Sequence, residues 1–548
     1  MLHILNELRV LKASAQAQES SSPPFWRRFS RSAWPNELPQ GVGGDWDGWS
    51  SVPDLQQDWD AKHKESVMLA LQAQYTRAGL KMPDSWQSLQ CHNCRVVTVG
   101  HQLVLAGGPA FFHHKILTAI RVARGLSKTS GQPIVPLFWM ASEDHDWKEI
   151  SSVHGVNQAH SWTPRHSHIA RPVGQLSLDG LGEVLQEWMA DGLSDQIATD
   201  MWTDFEASVA AGECLSGLMR RWLHRWYGSD GLLVLDPQDE DLKTLGASLW
   251  AKEFEGRGVH DALHGSAAMD GPALVRENNI FWMDEERGRV GVVREKHGDG
   301  WKAGEVGFET PEEGWLSWAE KHARSCSPGV LLRPLYQELL LQSAAVVVGP
   351  GEWNYWMQLP QAFSKHGLSL PALRLRDHGV VVSQEAQRTG WTLSKGWLPN
   401  EVWDRWVLDQ WVAQLGDDLV HHKCALDKWN QDIQAWSREV SPGLQGPAGA
   451  LEAATAKAWG QWMVKLRKSL KGTRAKEWSS ARKGCESLVR SGLPQDRWAN
   501  WNILAGDRVN LWKAQWLSET KDLHAVVWVL EEIEESKFPQ NTTSSTSN

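Results

Sequence analysis

Two apolar, β-branched runs bracket the most informative stretch of the chain. Residues 95–99 (RVVTV) and 134–140 (IVPLFWM) read as short buried strands, and between them Ile116, Ile120 and Ala123 recur at helical spacing inside glycine-rich and Gly/Pro boundaries. The pattern predicts one strand, helix, strand unit ending near Asp146. A crossover of this length makes the two strands parallel and right-handed, so polar residues past both strand ends share one edge of the sheet. Ligands of open α/β sheets bind along that carboxyl edge. The residues placed there are those from Thr98 to Gln102 and from Ser142 to Asp146, with His101, Gln102, Glu143, Asp144, His145 and Asp146 converging on one crevice.

The remaining periodicity extends the same plan. Residues 54–80 alternate with helical period until Pro83 stops them, which predicts a helix covering the sheet. Residues 151–228 break the repeat: a loop carrying His154, His160, His166 and His168, read as exposed, precedes a strand-like run at 172–178 and two helical segments rich in Trp and Leu. The sheet resumes at 231–235, and a two-strand ribbon pairs 280–283 with 290–293 across DEERGR. Arg333, Tyr336 and Gln337 then open a helix, and an apolar run at 344–348 ends in Gly349-Pro350-Gly351-Glu352 before the next one. Residues 371–376 supply Arg374 and Arg376 as anion partners. Beyond residue 382 the chain reads as helical. Val407, Trp411 and Leu415 recur at four-residue spacing, as do Trp462, Leu466 and Leu470, across a Gly/Pro-rich turn that predicts an antiparallel helical hairpin. Such a hairpin serves packing or dimerisation. A third helical region at 497–516, an apolar run and a disordered tail close the chain; residues 1–50 read as an irregular lead-in.

Composition narrows the function classes. A chain of 548 residues, 41% hydrophobic and 22% charged, is ordinary globular material for two or three domains. Fifty-six basic against 66 acidic side chains give a net charge of -10, which argues against a nucleic-acid binder. No run of about 18 uncharged apolar residues predicts a membrane span, and the start of the chain lacks a basic segment followed by an apolar one, so the expected compartment is the cytoplasm. Six scattered cysteines fit a reducing compartment. Cys91 and Cys94 form a lone CxxC, half a zinc site at most, and read better as structural or incidental thiols. Most of the 35 Trp read as core or interface residues.

Two clusters carry candidate chemistry. Thr98-Val99-Gly100-His101 fits the TxGH phosphate-binding form of the nucleotidylyltransferase and class I aminoacyl-tRNA synthetase superfamily, in which glycine admits a phosphate and Thr and His donate to it. Lys115 adds a cation if it faces the crevice. Ser142-Glu143-Asp144-His145-Asp146 puts three carboxylates and a histidine in one turn; neighbouring carboxylates raise each other's pKa and favour an imidazolium at His145, which suits a general base or an ammonium site. The plainer reading is a helix start whose acids suit the dipole. The GPGE turn either cradles a phosphate or an α-amino acid, or only joins strand to helix.

The segments GHQLVLAGGP, PLFWMASEDHDWKEI, GVLLRPLYQELLLQ and VGPGEWNYWMQL, in this order and with these gaps, resemble the BshC family, the cysteine ligase of bacillithiol biosynthesis. GLLVLDP, NNIFWMDEERGRV, LPQDRW and HAVVWVL extend the resemblance over most of the chain. It implies an α/β fold with a Rossmann-like parallel-sheet core, divided as a lead-in and covering helix (1–88), a first half of the core (89–150), an inserted connective domain (151–228), a second half of the core (229–385), a helical coiled-coil arm (386–490) and a returning C-terminal segment (491–548). It also implies a homodimer through the arm, and an amide bond between cysteine and the amine of glucosaminyl malate. Thr98, Gly100, His101, Gln102, Lys115, Gly349, Gly351 and Glu352 would then hold the activating phosphate group. Asp144, His145 and Asp146 would bind or deprotonate the amine, while Glu143, Arg333, Tyr336, Gln337 and Arg376 would contact substrate, the two arginines facing the malyl carboxylates. Departures exist. Gly100-His101-Gln102 replaces the family's GQQ; LRLRDHG retains Arg376 but not the serine of a PRxS-like stretch; and a KMSKS-like loop is missing. ATP or another adenine nucleotide, with Mg only as its companion, is therefore an open expectation. Two other classes stay open: a metal-dependent amidohydrolase or deacetylase using Asp144, His145 and Asp146, and a non-catalytic dimeric nucleotide-binding scaffold.

Overall fold

The computed structural model describes residues 10–14, 49–164, 171–295, 300–390, 400–491, 493–521 and 526–531. His166, His168, most of the lead-in and the C-terminal tail lie outside the described residues. The chain forms two compact units, Leu11–Gly379 with Asp496–Trp528, and Met1–Val10 with Val380–Gln495 and Val529–Asn548.

The larger unit is built on a five-stranded parallel sheet. Helix α1 (Ala61–Arg77) starts where Asp60 accepts the backbone N–H of His63 at 2.9 Å. Strand β1 (Arg95–His101), helix α2 (Ala110–Ser130) and strand β2 (Ile134–Met140) form the expected unit, with Gly100 opposite Trp139 and His101 opposite Met140. Strand β3 (Leu233–Leu235) joins the far side of β2, helix α3 (Arg333–Leu341) leads into strand β4 (Ala345–Val348), and helix α4 (Pro350–Trp356) precedes strand β5 (Ala372–Leu375). The spatial order is β5-β4-β1-β2-β3. Every residue of β2, β4 and β5 is buried, as expected for near-continuous apolar strands covered on both faces. Gly131 closes α2 at φ 72°, a left-handed cap that suits glycine.

Several expectations need correction. β1 runs on to His101, so Thr98 lies within the strand, fully buried, its hydroxyl 2.6 Å from that of Ser343. The 151–228 region holds three helices (Leu181–Ala190, Asp195–Ala210 and Leu215–Tyr227), and residues 173–175 form a 3-10 turn where a strand was expected. His160 is buried against Asp191 at 3.1 Å, and His154 is half-buried, because both sit on a small hairpin (Ser152–His154 with Ala159–Ser161) packed on these helices. The second ribbon strand spans Gly288–Gly291, paired with Ile280–Asp284, which in turn pairs with Cys326–Pro328. The 497–516 region is three short helices.

In the other unit, helices α5 (Asn400–Ala413), α6 (Asp417–Val440), α7 (Gln445–Thr473) and α8 (Ala475–Leu488) follow one another. Trp403, Val407 and Trp411 pack with Ala481, Cys485 and Leu488, whereas Leu415 and Trp462 are exposed. Thr455 bonds Asn430 at 3.1 Å and Gln434 bonds Glu452 at 3.2 Å, so α6 and α7 run antiparallel about the turn Pro442–Leu444. Among the described residues no helix is long and apolar enough to cross a membrane.

Candidate active site

At the carboxyl edge of β1, β2 and β4 opens a cavity of about 670 Å³. Parallel strands bring Gly100, His101, Ala141 and Gly349 to one level, and the turns beyond them supply the walls. A ligand-sized, polar-lined crevice at this edge matches the general behaviour of open α/β sheets.

One wall is cationic. Lys115, almost fully buried on α2, reaches the Gly100 carbonyl and the Glu352 carboxylate. Glu352 caps α4 by accepting the Gly349 N–H at 2.9 Å. Arg333, at the start of α3, donates to Gln337 at 2.8 Å and to the Tyr355 hydroxyl at 2.8 Å. Burial lowers the Lys115 pKa more than Glu352 restores it. For Glu352 burial pushes the other way, but Lys115 and Arg333 outweigh it and hold the carboxyl below its usual value. The pair is thus a preformed charge arrangement. A Cβ placed on Gly351 would meet open space.

The opposite wall is mixed. Gln102 donates to Asp144 at 2.6 Å and to Glu149 at 2.9 Å, so two carboxylates meet at one amide. Glu143 accepts from Gln238 at 2.6 Å. Arg289, from the ribbon, lies 4.1 Å over the Phe281 ring, donates to Ser327 at 3.0 Å and to the Pro328 carbonyl at 2.7 Å, and approaches Asp144 at 3.6 Å and the His145 ring at 3.2 Å. The acid cluster therefore behaves otherwise than expected. Burial raises the Asp144 pKa, but the Gln102 bond and Arg289 outweigh it, so its carboxyl titrates below the usual range. His145 is lowered by burial and by Arg289, which together overcome Asp144 and Asp146, so the imidazole is neutral rather than the imidazolium expected.

His101 is neutral too. Burial, with Lys115 adding, lowers its pKa to about 4. Its Nδ1 lies 3.0 Å from the Gln102 carbonyl, which can only accept, so Nδ1 carries the proton and Nε2 keeps a lone pair. In this tautomer Nε2 is an acceptor.

The structure gathers Gly100, His101, Gln102, Lys115, Glu143, Asp144, Arg333, Gly349, Gly351, Glu352 and Arg376 around the cavity. It does not bring all the expected residues there. Thr98 lies in the core; Tyr336 is fully buried, its hydroxyl donating to the Pro237 carbonyl at 3.1 Å; Gln337 is fully buried and reaches the site only through Arg333. Asp146 is exposed beside the turn, and His145 stands behind Arg289. Arg374 is locked in the core by Asp377 at 3.0 Å. Sequence reading missed Phe111, Glu149, Arg276, Arg289 and Arg497, all of which line the cavity. Arg289 lies in DEERGR, read as the turn of a ribbon, and Arg497 in LPQDRW, read as the start of a helical region. Nothing in their spacing marks them as cavity residues. Among the described residues no group of three or more His, Cys, Asp or Glu side chains is arranged to hold a metal ion, Cys91 and Cys94 included.

Residues 48–377 match the family model described as "Bacillithiol biosynthesis BshC, N-terminal Rossmann-like domain". Relatives named "Putative cysteine ligase BshC" include one from Flavobacterium johnsoniae, 27% identical over 62% of this chain and 64% of its own length. Another, from Cytophaga hutchinsonii, is 29% identical over 58% and 59%. A third, from Geobacillus thermodenitrificans, is 26% identical over 79% and 83%. The chain thus spans less than two thirds of the length of the first two relatives and more of the third.

Proposed function

This chain belongs to the BshC family of bacillithiol biosynthesis, and on that premise we propose that it joins the carboxyl group of L-cysteine to the amine of glucosaminyl malate. One observation carries the reading: a single crevice sets two cations, buried Lys115 and half-buried Arg333, across from the paired acids Asp144 and Glu149. Amide formation needs both. A carboxylate must be activated as a phosphate or adenylate ester, which develops negative charge, and an ammonium must be bound and lose a proton before it attacks.

Lys115 and Arg333, beside the open backbone at Gly351, have the charge and room to hold a polyphosphate. An adenine nucleotide bound there, with Mg as its companion, supplies the activating group. Arg333, expected opposite the malyl carboxylates, fits this role better because Tyr355 and Gln337 fix it next to Lys115. His101 Nε2 accepts a hydrogen bond from a substrate N–H or O–H. Asp144, its carboxyl held below the usual range, and Glu149 both accept from Gln102 and receive the ammonium group, and Asp144 takes the proton as the amine attacks the acyl carbon. The acyl bond to phosphate breaks, the amide forms, and the leaving phosphate oxygen departs against the cationic wall. The same reading places the enzyme in the cytoplasm and pairs two copies through α6 and α7, where Trp429, Trp436 and Trp462 are exposed.

The test is an anaerobic assay with cysteine and glucosaminyl malate, with and without ATP, reading product mass and nucleotide products. Appearance of the cysteinyl amide only with ATP is expected, and AMP or ADP then identifies the activated species. An amide that forms at the same rate without any nucleotide removes the phosphate role of Lys115 and Arg333.

A further inference from the structure

Phe111, near the start of α2, was silent in the sequence, yet its ring carries two cations. The guanidinium carbon of Arg376 lies 5.3 Å from the ring centroid and that of Arg497 lies 5.0 Å from it, and all three residues line the cavity. Both distances fall within cation–π range. The two arginines differ in how they are held. Arg376 is buried and donates to Asp496 at 2.8 Å; Asp496 also meets His378 Nδ1 at 3.3 Å. Arg497, the next residue after Asp496, is half-buried and has no carboxylate within ion-pair distance among the described residues.

Two like charges on one ring repel each other unless an anion joins them. Burial lowers the Arg376 pKa, Asp496 offsets part of that, and Arg497 lowers it further. Asp496 neutralises only one of the pair, so the cavity face of this ring keeps a net positive charge. Two guanidinium groups spread over one aromatic plate present donors to two separated oxyanion groups of a single small molecule.

We propose that Arg376 and Arg497, seated on Phe111, form a clamp for the two carboxylates of one dicarboxylate group, with Asp496 as the positioning residue that holds Arg376 in place. The identity of that group as the malyl part of the acceptor rests on the function proposed above; the existence of the clamp does not. The clamp makes Arg497 a determinant of specificity: a ligand lacking the second carboxylate leaves that guanidinium without an anion.

Binding of two probes, L-malate and L-lactate, to the whole protein tests this without any turnover. They share the 2-hydroxy acid and differ in one carboxylate. Titration calorimetry is expected to show malate binding roughly 10- to 100-fold more tightly than lactate, the effect of one charge-assisted pair. Arg497→Gln should erase that preference and leave lactate affinity within about twofold. Arg497→Lys, which keeps the charge but not the planar fork, should retain part of it. Equal affinities in the wild type, or a malate preference that survives Arg497→Gln, overturns the clamp. Asp496→Asn, in the assay of the previous section, should raise KM for the acceptor while KM for cysteine stays unchanged; an equal rise in both denies its positioning role. If malate binds selectively but no amide forms, the clamp stands and the ligase reading falls.

Discussion

Arg374 and Arg376 lie two residues apart and have opposite fates. Arg374 turns into the core, where the Asp377 carboxylate takes it at 3.0 Å together with Arg121 at 2.9 Å and the Trp516 ring N–H at 3.3 Å. All of these groups except the Trp nitrogen are charged, and both members of each ion pair are fully buried. Arg376 is as deeply buried and also has its carboxylate, Asp496, but its other face lines the cavity beside Arg497. The difference separates structural from functional charge. In the first cluster donors and acceptors saturate one another and nothing remains to offer a ligand. Around the crevice the pairing is left incomplete, at Arg333, Arg497 and Arg276, where charge remains to meet a ligand. Desolvating a cation without a paired anion is costly, and folds retain such groups where a ligand completes the pairing.

Breaking the closed cluster should have the largest effect. Asp377→Ala leaves two buried guanidinium groups without their anion and is expected to lower stability by about 3–5 kcal/mol, read as an early denaturant midpoint; a near-native midpoint would mean the cluster is less closed than its geometry. Arg333→Met is the matching change in the open one. It should cost roughly 100- to 1,000-fold in kcat with stability altered by no more than about 1 kcal/mol, since Glu352 keeps Lys115. A variant that unfolds as readily as Asp377→Ala would erase the distinction.

A smaller effect concerns pH. Burial and then Arg289 depress the His145 pKa, so the imidazole should titrate below 6.5, read by NMR of its ring protons. Arg289→Met removes one depressing influence and should move that midpoint upward, by up to about one pH unit. A midpoint that stays put, or moves down, would mean that Arg289 does not set the charge of this cluster. The smallest effect belongs to charge outside both clusters: Lys321 meets Glu313 at 2.8 Å on the surface, and Lys321→Ala should change stability by less than about 1 kcal/mol by thermal unfolding.

Much of the fold was legible. Four of the five core strands stand out as apolar runs, whereas β5, interrupted by Arg374, was read only as a source of arginines; the parallel crossover follows from the helix between β1 and β2. Strand ends were less legible, with consequences for the site. A four-residue match placed Thr98 at the phosphate, but two further residues extend β1, and at about 3.3 Å per residue that buries Thr98 well below the edge. The acid run 143–146 was legible as a cluster, but the imidazolium expected at His145 was not, because the arginine that opposes it comes from a ribbon far along the chain.

The features written locally in the chain are periodic ones: most of the strands and helices, the parallel run of β1 and β2, and hence the edge that carries Gly100, His101, Gln102 and Asp144. These follow from side-chain period and backbone chirality, which act over a few residues. Which charges are spent on each other and which are left over depends on packing between distant segments. Arg374 and Arg376 are equivalent in sequence; Asp377 and Asp496 make them different. Phe111 and Arg497 meet only because the C-terminal segment returns to the sheet edge, and no local pattern encodes that meeting, since pairing between distant charges depends on where the whole chain packs.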